Sequence, residues 1–137
     1  MTISSLAVGT DAIPSKGTTS PVSYPVEKAS PTLVGWSDFA GAIFALNKTA
    51  SIGWRYPTAK SKLHRVTYVI STPLDRPVTD AGSNTTHVVA GTLNCKMEFV
   101  IPILATSAER SEFLRRVVQT ILDSQFEAAV TNLSFPL

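Results

Sequence analysis

The residues able to do chemistry are few and poorly grouped for catalysis. Cys95, the one thiol, alternates with apolar neighbours and has no base beside it, so it reads as a buried structural cysteine. His64 follows a turn and His87 lies in or beyond a loop, too far apart for a metal centre, and Asp75, Asp80 and Glu98 have no spacing that marks a working carboxylate pair. There is no phosphate-cradling glycine loop, dinucleotide fingerprint, nucleophile elbow or zinc-protease motif. No cofactor or metal is expected. A second set is more coherent: Arg55, Arg65 and Lys96 recur at like positions of three alternating segments, with Lys60 and Lys62 between the first two and one acid, Glu98, nearby. Ser51, Thr67, Ser71 and Asn94 add short neutral hydrogen-bonding groups. Guanidinium forks and ammonium charges suit phosphates, and short polar side chains suit the edges of unpaired bases. The same pattern also describes an ordinary solvated sheet face.

Those positions are set by alternation. Ala50, Ile52, Trp54 and Tyr56 alternate with Ser51, Gly53 and Arg55; Val66, Tyr68, Ile70 and Thr72 alternate with Arg65, Thr67, Val69 and Ser71; Leu93, Cys95, Met97 and Phe99 alternate with Asn94, Lys96 and Glu98. A period of two makes each a strand with one core-facing and one wet side. Earlier, residues 4–8 and 20–26 are expected to form a hairpin around a Gly/Pro/Ser-rich segment, with a further strand at 33–39. Residues 73–86 read as a long polar loop, of the kind that is functional or a contact surface. At Thr106 the period changes. Thr106 and Glu109 have capping-box spacing, Phe113, Leu114, Val117, Val118, Ile121 and Leu122 line one helical face, and a second short stripe runs through Phe126, Ala129, Val130 and Leu133.

The 137 residues are expected to form a single domain, 1–137, of α+β class, with helices on one face of an antiparallel sheet. With 44% apolar and 16% charged residues the chain is not of disordered composition, and the longest apolar stretch, residues 39–46, is too short for a membrane span. A net charge of +2 makes RNA admissible without demanding it. No basic residue precedes an apolar run at the N-terminus, so no secretory signal is expected; the lone thiol fits an intracellular setting, and the three Asn-x-Ser/Thr sequons are read as coincidence. About a dozen sheet side chains need cover, each contributing roughly 1.5–3 kcal/mol when fully buried. One moderate and one short helix barely supply it, and the sheet has an edge strand to satisfy. Dimerisation through that edge, helices laid across the partner's sheet, would meet both needs.

Several stretches resemble the coat proteins of the small single-stranded RNA bacteriophages, of levivirus and more particularly allolevivirus type. They are Ser30-Pro31-Thr32, the run from Ala40 to Lys48, the block from Pro57 through Arg65 to Pro73, Met97 to Thr106, and Glu109 to Leu133. The likeness spans nearly the whole chain in the family's order. It implies an N-terminal β-hairpin, a five-stranded antiparallel sheet and two C-terminal helices interlocking with a partner subunit in a homodimer. Such dimers form an icosahedral, T=3-like shell around the single-stranded RNA genome. Its inner sheet face binds an RNA hairpin, marking the genome for packaging and repressing translation of the replicase. The resemblance thus implies a non-enzymatic virion protein, present in the host bacterial cytoplasm during assembly, with no membrane partner.

By position, Ser51, Gly53, Arg55, Arg65, Thr67, Val69, Ser71, Asn94, Lys96 and Glu98 match the family's RNA-facing residues, and Lys60 and Lys62 adjoin them. Val69 stands where the family has a lysine beside an unpaired adenine, Gly53 where a hydroxyl is usual, and Asn94 where an aromatic often stacks a base. The resemblance also places the loop at 74–86 around the shell's symmetry axes; members of the allolevivirus type carry cysteines there and this chain has none, so its shell is expected to lack those disulfide links. The rival reading is a dimeric α+β small-molecule-binding domain or enzyme with a pocket beneath the helices.

Overall fold

The computed structural model describes residues 6–8 and 22–133. The chain gathers into two compact units, Met1–Val100 and Ile101–Leu137. In the first, β1 (Leu6–Val8) pairs antiparallel with β2 (Val22–Tyr24), the expected hairpin; residues 4, 5, 20 and 21 lie outside the described set. After Pro25 come β3 (Val26–Ala29), β4 (Leu33–Asp38), a 3-10 turn at Phe44–Leu46, β5 (Lys48–Arg55), β6 (Leu63–Asp75), β7 (Val78–Thr79), β8 (Thr85–Thr86) and β9 (Val89–Pro102). The main sheet runs β3-β4-β5-β6-β9. Arg65 bonds Glu98 and Ser71 bonds Asn94, so β9 runs opposite to β6 and the five-stranded sheet is antiparallel throughout.

Alternation becomes two faces through the register. Trp36 pairs with Ala50 and Ala50 with Ile70; Val34 pairs with Ile52 and Ile52 with Tyr68. These six side chains form the core of the sheet, with Val34, Trp36 and Ala50 buried and the other three packed against them. Burial pushes the Tyr68 hydroxyl pKa up, and the nearby Cys95 opposes its ionisation further. Leu46, in the 3-10 turn, is also buried. The loop before it closes tightly: the Gly41 amide donates to Asn47 Oδ1 at 3.1 Å, and a Cβ on Gly41 would lie 2.7–2.9 Å from Asn47 and Leu46 atoms.

Three expectations change. The segment at 73–86 is not one loop. The long strand β6 runs through Pro73 to Asp75, past Ser71, the last residue paired with β5 in the β5–β6 ladder described, and β7 and β8 form a ribbon of their own. At its tip Asp80 accepts the Asn84 backbone amide on Oδ1 at 2.9 Å, the Asn84 side-chain Nδ2 on Oδ2 at 3.3 Å and the Gly82 amide on Oδ1 at 2.9 Å, which holds the Asp80 carboxyl below its usual range. The segment after Pro25 forms its own strand, β3. Cys95 is exposed rather than buried: it lies on the apolar side of β9, an edge strand, where Leu93 is open as well.

The second unit holds α1 (Ser107–Ile121) and α2 (Ser124–Thr131). Thr106 and Glu109 form the expected capping box: Thr106 Oγ1 accepts the Glu109 amide, and Glu109 Oε2 accepts the Thr106 amide at 2.8 Å. The Thr106 amide, and then the Thr106 hydroxyl donating to the same oxygen at 3.0 Å, hold the Glu109 carboxyl below its usual value. Asp123 caps α2 through the Gln125 amide. Neither helix buries a residue; Phe113, Leu114, Val118 and Val130 on the apolar stripes are all exposed.

Two substitutions test this packing. Trp36→Ala should cost about 3–5 kcal/mol in denaturant unfolding, as loss of a buried aromatic does. Gly41→Ala, which leaves no room for its methyl, should destabilise the fold, whereas Gly53→Ser, whose Cβ would make only 3.7 Å contacts, should leave the midpoint nearly unchanged.

Candidate nucleic-acid interface

The face opposite the core carries the expected residues together. Arg55 pairs with Arg65, Gly53 with Thr67, Ser51 with Val69 and Thr49 with Ser71 across β5 and β6, so their side-chain positions share one side. Arg65 Nη1 donates to Glu98 Oε1 at 2.7 Å and Ser71 Oγ donates to Asn94 Oδ1 at 2.6 Å, which puts the polar residues of β9 on that side too. The Arg65 hydrogen bond, with the Arg65, Lys96 and Arg55 charges, lowers the Glu98 pKa, so all three cations lie within electrostatic reach of one carboxylate. Both partners of the ion pair are two-fifths exposed, so solvent screens it and it organises the surface more than it stabilises the fold.

Lys60 and Lys62 are exposed in the turn joining β5 to β6, which is closed by Thr58 and Ser61. They adjoin the strand ends that carry Arg55 and Arg65, without being part of the sheet face. The surface thus has a cationic end and, farther along the strands, a neutral zone of Ser51, Thr67, Val69, Ser71 and Asn94.

One basic residue is hidden from a reading of the sequence. Lys28 pairs with Gly35 after a register shift between Val26 and Lys28, and its Cβ lies 3.6 Å from where a Gly35 Cβ would stand. Gly35 in turn pairs with Ser51. The bulge moves Lys28 to the polar side although Val26, two residues earlier, pairs with the core residue Trp36. Leu33, paired with Gly53, is an apolar member of the same face and is 43% exposed.

Among the described residues no group of three or more His, Cys, Asp or Glu side chains is placed to hold a metal. No described helix is long and apolar enough to cross a membrane. A concavity on α1 is open, and Glu112 and Arg116 satisfy each other within it at 3.1 Å.

No family model matches the sequence, and no curated protein does. Solved structures match it end to end. A virus-like particle of bacteriophage ESE058 is 18% identical with a TM-score of 0.81, and one of bacteriophage NT-214 is 17% identical with a TM-score of 0.80, each covering 100% of both chains. The bacteriophage GA protein capsid is 14% identical with a TM-score of 0.72, covering 96% of this chain and 95% of that one. The chain has the fold of these phage shell proteins. The phage-coat fold agrees with the resemblance read from the sequence, and at this identity it is the fold alone that is shared. Its sheet here presents the ion-paired polar surface just described, with Gly53, Val69 and Asn94 as this chain's own residues on it.

The carboxyl of Glu98 provides a check. Its pKa is lowered, so the Arg65 bridge is fully present above the ordinary glutamate value of 4.5 and is lost only as pH falls through the lower folded-state value. A carboxyl-carbon NMR titration should place the Glu98 midpoint below 4.5, and Arg65→Ala should bring it back up. An unchanged midpoint in the variant would remove Arg65 as the cause.

Proposed function

We propose that this protein is the coat subunit of a single-stranded RNA bacteriophage. Residues 1–137 act as one non-enzymatic coat domain whose homodimers close into an icosahedral, T=3-like shell around the RNA genome. The protein resides in the virion, and in the host bacterial cytoplasm during assembly. The polar sheet face lines the interior and holds an RNA hairpin, serving packaging and repression of replicase translation. Ser51, Gly53, Arg55, Arg65, Thr67, Val69, Ser71, Asn94, Lys96 and Glu98 form its surface, with Lys60 and Lys62 beside it. The observation that carries this reading is the gathering of Arg55, Arg65 and Lys96 on one face of a sheet whose fold is that of phage shell subunits.

A second copy of the chain is the partner that the single chain calls for. Of the two sheet edges, β3 is four residues long, follows Pro25 and carries a bulge, features that blunt an edge. β9 is 14 residues long and reaches its first proline at Pro102. Pairing β9 with its copy would satisfy the longer row of backbone groups. It would also extend the polar face across two subunits and bring apolar cover to Leu93 and Cys95. The exposed stripes of α1 and α2 would lie on the partner's apolar sheet face.

Assembly and RNA uptake both test the reading. The purified protein should appear as closed particles by electron microscopy, with a nucleic-acid ultraviolet spectrum. A monomer by light scattering at micromolar concentration would contradict the dimer. Replacing Arg55, Arg65 and Lys96 together by Ala should leave the dimer folded and cut its RNA content. The dependence of RNA affinity on salt should also flatten, by about one unit of log–log slope for each phosphate that is no longer neutralised. Undiminished RNA content would remove the assignment of that face.

A further inference from the structure

Glu98 stands where a surface built only to neutralise phosphate would not place an acid. From Ser51 to Arg55, from Arg65 to Ser71, and at Asn94 and Lys96, the positions on this side of the sheet are neutral or cationic. The Glu98 carboxylate accepts from Arg65 Nη1 at 2.7 Å, and Arg65 is the residue directly opposite Arg55. The bond runs from one nitrogen to one oxygen, short of the two-pronged pairing that a guanidinium and a carboxylate can make. Both side chains are two-fifths exposed, so a ligand can reach the pair from solvent and take it apart.

The Arg65 hydrogen bond first, and then the Arg65, Lys96 and Arg55 charges, keep the Glu98 carboxyl ionised at neutral pH. In that form it accepts hydrogen bonds and donates none, as phosphate does. A phosphate arriving at Arg65 must displace Glu98, and it leaves the carboxylate beside a like charge with no donor on its oxygens. A nucleic acid brings donors together with its phosphates, in the amino groups of its bases and the 2′-hydroxyls of RNA. A donor placed on Glu98 restores what the carboxylate lost in giving up Arg65. The surface thus opposes charge that arrives alone and accepts charge that arrives with donors, a discrimination built from a repulsive element.

We propose that Glu98 is a specificity-determining residue of this face: it holds Arg65 in the unliganded subunit and yields it to nucleic acid in preference to a polyanion of phosphate alone. The inference rests on the coat reading and adds to it the residue that keeps a cationic surface from taking any polyanion. A role confined to offsetting the repulsion between Arg55 and Arg65 would make Glu98 matter for stability and leave this preference untouched.

Inorganic polyphosphate, which carries no base and no hydroxyl along its chain, is the comparison probe. The full-length protein, freed of copurified RNA, is titrated at one salt concentration with an RNA oligonucleotide and with polyphosphate of the same number of charges. The unaltered protein should bind the RNA more tightly. Glu98→Gln should raise polyphosphate affinity about fivefold, the upper end for release of an exposed ion pair, and raise RNA affinity less, so that the ratio of the two falls. In an Arg65→Ala background the same substitution should raise polyphosphate affinity by less than half as much, because there is no arginine to release. Equal affinity of the unaltered protein for both probes overturns the proposal, as does an unchanged ratio in Glu98→Gln with its circular dichroism intact, whether or not the melting temperature falls. A gain that is undiminished without Arg65 overturns it too, since Glu98 then acts only as a charge at a distance. The Arg55, Arg65 and Lys96 triple variant judges the coat reading separately. If that variant loses RNA while Glu98→Gln leaves the ratio unchanged, the coat reading stands and this inference falls; if it keeps its RNA, both fall for this face.

Discussion

Two arginines opposite each other on neighbouring strands are the constraint around which the polar face is built. Arg55 and Arg65 occupy directly paired positions, where like charges repel at a cost of roughly 0.2–1 kcal/mol. Glu98 offsets that repulsion by taking Arg65 into an ion pair from the strand on the other side. The arrangement requires β5, β6 and β9 to keep one register, because a slip of one residue would send every cation into the core and every core side chain into water. The same register that brings Ala50, Ile52, Tyr68 and Ile70 together therefore assembles the polar surface.

The fold is finished on only one part of its apolar surface. Val34, Trp36 and Ala50 are buried, whereas Leu93 and Cys95 on β9 and the stripes of both helices face solvent in the single chain. Each helix is correctly capped and amphipathic, so local propensity is satisfied and what is missing is something to pack against. In the proposed dimer, where that cover would come from a second copy, folding and assembly would be coupled.

Much of this was legible from residue order because a period of two is hard to imitate over eight or more residues. The faces of β5, β6 and β9, the capping box of α1 and the break at Asp123 could all be read directly. The rest depended on features that alternation does not encode. Lys28 reaches the polar face through a bulge, which resets the count of two without a distinctive residue to announce it. The β7–β8 ribbon is held by Asp80 accepting backbone amides at its tip, a local chemistry that looks like any polar loop in sequence. Cys95 falls on the side of its strand that alternation assigns, but its exposure follows from β9 being an edge, which is a property of strand order and not of the strand itself.

Whether nucleic acid lies on the polar side of the sheet decides the whole account. Lysine acetylation of RNA-filled particles and of particles emptied of RNA, read residue by residue by mass spectrometry, addresses it most directly. Lys28 and Lys96 should be protected when RNA is present and become reactive when it is removed. Reactivity at both lysines that does not change with RNA would contradict it.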